Sequence, residues 1–422
     1  MDTLQWLNHK GLMMVQGNEQ VNYEQFCEKV IVRAKEHERL NLPRTIALKA
    51  DYSINYWVDF FTLLYNKHIV FPYLGQTPTY PWLEGVYANG SIIIIKDLER
   101  YEELDAFAST QQAGLVLETS GTSGNKKVVL HNFNIIAQKY TKLHRKFKTV
   151  LVFSPEHISG IETLLSIIIP GGTIIIPTDQ SINTICTTIA AEKIDLLACT
   201  PSFIRLVMVS GNIEKLKSIQ ILNLGGERSD EKLLYKLQEC LPHTHIHQAF
   251  GTTETTNIRT YSQEGSIYFK PGKEGEDYMI KEDILWLKTT PSIICFIIGK
   301  PIIENGWICT NDRVEQDNEG YIKILGRKED TINIGGEKVD PAEVENTIIK
   351  MGGIISVKVY GEEDMIMGKK LVAHIYIEKG QTLTKQAIVQ FCKILLPDYK
   401  IPVKFHIRTD LALTSRLKIT HT

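Results

Sequence analysis

Residues Thr119 to Lys127 read Thr-Ser-Gly-Thr-Ser-Gly-Asn-Lys-Lys, directly behind the apolar run Gly114–Leu117. Thr119, Ser120, Thr122 and Ser123 offer hydroxyl donors. Gly121 and Gly124 permit positive φ and close backbone approach, so successive N–H groups can turn toward one anion. Lys127 adds a positive charge. The combination describes a cradle for a polyphosphate. Its grammar is not that of the nucleotide-hydrolase P-loop, in which Gly precedes Lys and Ser or Thr follows it. Here Lys126 precedes Lys127 and Val128 follows.

Further chemistry-bearing groups follow along the chain. Phe250-Gly251-Thr252-Thr253-Glu254 leaves an expected strand at His245–Ala249. A carboxylate beside hydroxyls at the carboxyl end of a parallel strand suits Mg²⁺ held against phosphate. Asp312, in Trp307–Asp312, can accept from both hydroxyls of a ribose, and Arg327 can donate to a sugar or a phosphate. Lys418, near the carboxyl end, is by composition part of a basic tail. His243, His245 and His247 alternate and would share one strand face, a pattern open to zinc, although the strand serves equally well as the lead into Glu254.

The elements that must position these groups alternate along most of the chain. Helices are expected at Val21–Glu38, Tyr52–Asn66, Gly160–Ile168, Ile182–Ala191, Pro201–Val209 and Asp230–Glu239. Strands are expected at Arg44–Lys49, His68–Pro72, Ser91–Lys96, Val150–Phe153, Thr173–Pro177, Leu196–Cys199, Gln220–Leu224 and His245–Ala249. Their apolar runs are continuous, Ser91–Lys96 included, as in parallel strands covered on both faces. After Asn257, strands such as Ile284–Leu287 and Tyr321–Leu325 read as antiparallel hairpins. From Glu329 a small α+β unit is expected, with helices Pro341–Lys350 and Lys385–Leu396 and strands Ile355–Tyr360, Lys370–Ile377 and Val403–Ile407.

The chain has 422 residues, more than one ordinary core accommodates. Lys and Arg total 47 against 49 Asp and Glu, a balance that disfavours nucleic acid or an anionic membrane as the main partner. No secretory signal and no credible membrane span is legible. The seven cysteines never form a CxxC pair and fit unpaired thiols in a cytoplasmic setting.

Together the motifs resemble those of the adenylate-forming superfamily: acyl- and aryl-CoA synthetases, luciferases and adenylation domains. Residues 119–127 resemble its TSGTTGxPKG loop, with Lys126 for Pro and Val128 for Gly. Gly225-Gly226-Glu227 is similar to its GGE element and Phe250–Glu254 to YGxTE, with Phe for Tyr. Thr310–Asp312 resembles TGD with Asn311 for Gly, and Gly326–Asp330 the GRxDD hinge, with Glu329 where Asp or Lys is usual. Gly335–Val339 with Pro341 and Glu343–Glu345 is similar to the segment after that hinge. Residues 414–418 resemble TxSGK, with Arg416 and Leu417 substituted. Asn311 and Leu417 would remove backbone freedom beside two important side chains.

The resemblance implies an α/β fold: a large N-terminal domain, 1–328, of parallel and mixed sheets covered by helices plus a β-barrel-like part, and a small mobile α+β domain, 329–422. It implies ATP and Mg²⁺, with Thr119, Ser120, Gly121, Thr122, Ser123, Gly124 and Lys127 on the β- and γ-phosphates. Gly225, Gly226, Glu227, Phe250, Gly251 and Thr252 would line the nucleotide site. Thr253 would touch the α-phosphate, Glu254 would bind the metal, and Asp312 and Arg327 would hold the ribose. Lys418 would bridge the acid and the α-phosphate. The loop at Gly335 and Gly336 would meet a phosphopantetheine arm of CoA or of a carrier protein.

Phe153–Gly160 resembles the FHxxG element, placing His157 in the acid site. Amino-acid-activating relatives have an aspartate there to pair with the ammonium, so the resemblance implies an aryl or fatty-type acid instead. The alternative role for His157 is structural, packed on the helix that follows. The implied activity is an AMP-forming acid–thiol ligase of the kind found in secondary metabolism. A phosphotransferase using the same loop, or a non-catalytic nucleotide-binding scaffold degenerate at Asn311, Glu329 and Leu417, is the competing reading.

Overall fold

The structure, a computed structural model, describes residues 4–40, 42–88, 90–95, 99, 101–119, 126–272, 277–288, 292–365 and 367–409. Two seven-stranded sheets organise the larger part. In the first, strands 245–248, 221–224, 196–199, 148–150, 173–176 and 12–16 run parallel in that order, and 19–22 closes one edge antiparallel. In the second the order is 293–298, 127–132, 114–119, 69–73, 45–49, 85–88 and 91–94, with a parallel centre and antiparallel edges.

Helices Tyr23–Leu40, Ile54–Tyr65 and Ile158–Ile168 lie between the two sheets. They share one core with Met14 and Ile174 of the first sheet and Leu48 and Leu115 of the second. The aromatics of Ile54–Tyr65 explain that place: Trp57, Phe60 and Phe61 bury opposite sides of a helix that meets solvent only near its ends, at Asn55 and Tyr65. Helices Ile182–Glu192, Pro201–Val209 and Glu231–Cys240 cover the outer face of the first sheet. Helix Glu102–Ser109 packs on the outer face of the second. The result is five alternating layers.

The run at Ser91 departs from expectation. Strand Ser91–Ile94 is the antiparallel edge of the second sheet, and Ile93 and Ile94 are exposed. Four isoleucines encode an extended backbone; they do not determine how many neighbours the strand acquires.

Residues 260–327 contribute an antiparallel sheet ordered 260–262, 269–271, 322–327, 307–316, 284–288 and 277–281. Beyond it, strands 354–364, 368–377 and 404–408 form a separate sheet with helices Pro341–Ile348 and Lys385–Leu395 on one face and a core of their own. Lys232, on helix Glu231–Cys240, fastens this unit to the first sheet. Its Nζ donates to the carbonyls of Ile349, Met351 and Ile354 at 3.1, 2.9 and 3.1 Å. These carbonyls cluster just beyond the C-terminal end of helix Pro341–Ile348, where a cation is favoured. Arg205 adds a bond to Ile355 O at 3.0 Å, and Arg228 pairs with Glu345 at 3.0 Å.

Lys232→Met keeps the apolar stem and removes all three donors. The connecting segment, with tryptic sites after Arg327 and Lys328, is then expected to be cleaved at least threefold faster in limited proteolysis. An unchanged cleavage rate would show that Lys232 does not fasten the two units together.

Candidate functional site

One cavity of about 1360 Å³ runs along the inner side of the first sheet and collects most of those expected residues that are described. Strand alternation explains its floor. Leu196, Ala198 and Thr200, Ile221, Asn223 and Gly225, and His245, His247 and Ala249 line it, while Leu197, Cys199, Leu222 and Leu224 pack on the covering helices. His245 and His247 therefore share a face, whereas His243 lies in the turn before strand 245–248 and does not join them. His247 Nε2 donates to Thr260 O at 2.8 Å, and no group of three or more His, Cys, Asp or Glu placed to hold a metal occurs among the described residues.

The end of the cavity where phosphate-binding residues are expected is built by two hairpins. Thr119 and Lys127 face one another as the last pair of strands 114–119 and 127–132, which fixes the two ends of the glycine-rich turn. Ser120, Gly121, Thr122, Ser123 and Gly124 lie outside the described residues, as does Lys418. The second hairpin pairs 250–252 with 256–258 and carries Thr253 and Glu254 at its tip. Gly251 is obligatory there, because a Cβ would stand 2.6 Å from Thr256 O. Thr252 and Thr255 bond side chain to backbone in both directions at 3.1 Å and close the turn.

Lys127 joins the hairpins: its Nζ lies 3.0 Å from Glu254 Oε1. Burial pushes the Glu254 carboxyl up. The Lys127 ammonium, with hydrogen bonds from Lys127, the backbone and Thr252, outweighs burial and holds it below the usual carboxylate range. A hard carboxylate oxygen, threonine hydroxyls and an ammonium converging on one cavity end fit a Mg²⁺–triphosphate unit.

The end of the cavity expected to take the acid lies under helix Ile158–Ile168. His157 caps that helix, its Nδ1 accepting from Ser159 N at 3.2 Å, and it also lines the cavity. That bond places the proton of the neutral ring on Nε2. Gly160 is dictated by crowding, since a Cβ would meet Ser154 O at 2.2 Å. Phe153, Ile158, Leu196, Ala198 and Ile221 form apolar walls.

Other expected groups stand further off. Gly225, Gly226, Gly251, Thr252 and Arg327 line the cavity. The Phe250 ring instead stacks on Phe269 at 5.6 Å, and Glu227 accepts from Ser202 N at 3.1 Å. Asp312 is buried behind Arg327, 3.5 Å from its Nε; burial raises its carboxyl to about 6, overcoming the opposite pull of that guanidinium. Gly335 and Gly336 turn the hairpin 332–339 and do not contribute to the cavity wall.

Asn311 corrects an expectation. Its φ is +61°, the region a glycine would supply and that Asn tolerates best among side-chain-bearing residues. The bulge that imposes it opposes Leu285, whose carbonyl accepts from Thr310. Asn311 Nδ2 donates to Glu329 Oε1 at 2.9 Å, so two departures from the family motifs bond to each other. Lys139, Tyr140, Glu162, Asn257 and Arg259 also line the cavity and were not anticipated. Only Glu162 left a sequence signal, as a lone carboxylate in the apolar helix ISGIETLLSII.

Comparison with known proteins follows the same division. The family model described as AMP-binding enzyme matches residues 99–276, and that described as AMP-binding enzyme C-terminal domain matches 343–418; together they cover well over half the chain. The 2-succinylbenzoate–CoA ligase of Bacillus subtilis (strain 168) is 25% identical over 352 residues, 77% of this chain and 71% of that protein. That of Staphylococcus aureus (strain MRSA252) is 27% identical over 324 residues, 72% and 65% of the two chains. Among solved structures, the anthranilate CoA ligase AuaEII with anthranoyl-AMP superposes with a TM-score of 0.80 at 16% identity, covering 99% of this chain and 95% of that one. The Bacillus subtilis o-succinylbenzoate CoA synthetase with its acyl-adenylate gives 0.75 at 18% identity, covering 99% and 96%.

Lys127→Met leaves Glu254 buried without its cation. The depressed carboxyl contributes stability above its unfolded value, near 4.3, and loses it as pH falls through the folded value. The variant is therefore expected to lose about 2 kcal/mol at pH 7, between the cost for exposed and for fully buried pairs. The deficit should shrink below pH 4 in denaturant titrations, and a pH-independent deficit would count against the pair.

Proposed function

We propose the following activity for this chain, which belongs to the AMP-binding enzyme family: it is an ATP-dependent acid–thiol ligase. The acid's carboxylate oxygen attacks the α-phosphorus of ATP, the bond to the β-phosphate breaks, and pyrophosphate leaves. A thiol then attacks the acyl carbonyl of the mixed anhydride, and AMP leaves. The observation that carries this reading is the single cavity joining the Lys127–Glu254 end to the apolar pocket at His157. Its volume exceeds the 300–1,000 Å³ or so that one drug-sized ligand occupies, as two adjoining substrates require.

In this reading Thr119, the glycine-rich turn and Lys127 bind the β- and γ-phosphates, and Thr253 meets the α-phosphate. Gly225 and Gly226 let the backbone approach the adenine, while Arg327 and Asp312 hold the ribose. The ring of Phe250 and the carboxylate of Glu227 shape that slot from behind. Mg²⁺ at Glu254 would neutralise phosphate charge as the displacement proceeds. Lys418 supplies a compact cation between carboxylate and α-phosphate, stabilising charge where it develops. The division at 328/329 allows the C-terminal unit to withdraw Lys418 afterwards and bring the Gly335–Gly336 loop to the thiol.

The acid we assign is aromatic. Walls of Phe153, Ile158, Leu196, Ala198 and Ile221 suit a flat apolar group, and the named relatives act on 2-succinylbenzoate. Among the described residues beside the apolar walls, neither His157 nor Glu162 is placed to anchor the ammonium of an α-amino acid. His157 is neutral when it caps its helix, and Glu162 has its oxygens bonded to Tyr140 and to the Asn257 N–H. The thiol is that of CoA; a carrier protein's phosphopantetheine presents the same chemistry.

Acid-dependent exchange of labelled pyrophosphate into ATP is expected with 2-succinylbenzoate or simple benzoates, and Lys418→Ala should slow it by about a hundredfold or more. Exchange with no acid in a panel of benzoates, hydroxybenzoates and fatty acids, or release of ADP instead of AMP, would contradict the proposal. A second expectation comes from Asp312. Its carboxyl is neutral below about pH 6 and then cannot accept from both ribose hydroxyls. AMP affinity measured by calorimetry should fall roughly tenfold per pH unit below that point, and Asp312→Asn should flatten the profile. An identical profile in the variant would remove Asp312 from the ribose site.

A further inference from the structure

The hairpin that presents Thr253 and Glu254 is held in an unfavourable backbone conformation. Thr256 has φ +57° and is completely buried; among the described residues it is the one β-branched residue with positive φ. Such a conformation persists only where surrounding contacts over-determine it. Those contacts converge from two elements outside the hairpin. Lys139, at the end of helix Phe133–Gln138, donates from Nζ to Thr256 Oγ1 and, at 3.1 Å, to Asn257 O. Glu162, on helix Ile158–Ile168, accepts the Asn257 N–H at 2.7 Å through Oε2 and the Tyr140 hydroxyl at 2.9 Å through Oε1. The ammonium thus takes the carbonyl of Asn257 and the carboxylate takes its N–H.

Asn257 and Tyr140 explain why a carboxylate is tolerated on so apolar a helix. Glu162 is 4% exposed, and its two oxygens accept from a backbone amide and a phenol. A glutamine would offer one acceptor oxygen and a donor amide, which cannot satisfy both the Asn257 N–H and the Tyr140 hydroxyl as the carboxylate does. On the far side of the hairpin, His131 is fully buried, bonds Ser292 through Nδ1, and lies against the Thr253 backbone. Lys127 reaches the tip from the second sheet.

We propose that Lys139 and Glu162 are positioning residues that clamp Asn257 and Thr256, and thereby fix where Glu254 and Thr253 present their oxygens to the metal-bound triphosphate. The assignment rests on the reading of Glu254 as the metal-facing carboxylate. Neither residue touches the reacting atoms. Lys139 and Tyr140 precede the acid-pocket helix and Glu162 lies on it, so the clamp ties the phosphate hairpin to the layer that carries His157.

The deciding measurement is the affinity for ATP with and without Mg²⁺, by calorimetry, in the full-length protein. The gain in affinity that Mg²⁺ confers should shrink at least fivefold in Lys139→Met and in Glu162→Gln, with Mg²⁺-free affinity within threefold of the parent. Lys139→Arg, which retains a donor pair, should recover most of the gain. Folded variants whose Mg²⁺-dependent gain equals that of the parent would overturn the proposal. Should Glu162→Gln not fold, the Lys139 pair decides alone, since Met preserves the packing of the stem. The readout does not require turnover. A parent protein that shows the gain but exchanges pyrophosphate with no acid would defeat the ligase reading and leave the clamp intact.

Discussion

Lys127 belongs to the second seven-stranded sheet and Glu254 to the turn of a separate hairpin, and their ion pair joins the two. The lysine opens the return strand of the glycine-rich hairpin; the glutamate sits at the tip of the hairpin that follows the first sheet. Both charges are substantially withdrawn from water, so each requires a partner at all times. In this structure they satisfy one another. Under the proposed function, the triphosphate would offer Lys127 a better partner and the metal would offer Glu254 one. Ligand binding would then be an exchange of partners, and each half of the exchange would favour the other.

The five-layer architecture exists to bring those hairpins and the acid pocket to one trough. Parallel strands project alternate residues to each face, and the inner face of the first sheet is left partly uncovered by helices. Small or polar residues stand there, Ala198, Asn223 and Gly225 among them, whereas the outer face is paved with leucine and cysteine. A sheet fully covered on both faces would have no room for a substrate. The trough is the gap in that cover.

Much of this was legible in the sequence, and what was not has a common cause. The hydroxyl- and glycine-rich loop, the Thr253-Glu254 pair and the β-α-β succession are local patterns; the structure reproduces the strands and helices of that succession, while residues 120–125 of the loop lie outside the described residues. Adjacency across the fold is not a local pattern. Nothing near Thr119 in sequence announces that Lys127 is its cross-strand partner, or that Lys139 and Glu162 meet over Asn257. The isoleucines at 92–95 specify an extended strand but not its place at an exposed edge. Asn311 looked like lost backbone freedom, yet its left-handed conformation and its bond to Glu329 make it a compensated substitution. A single substitution read in isolation conceals the second residue that answers it.

The exchange of partners is most directly tested by a crystal structure of the protein with Mg²⁺ and a non-hydrolysable ATP analogue. The account requires Lys127 Nζ and Glu254 Oε1, 3.0 Å apart in this structure, to separate beyond salt-bridge distance, with Lys127 on phosphate oxygen and Glu254 on the metal. An intact ion pair with the triphosphate bound elsewhere in the cavity would contradict it.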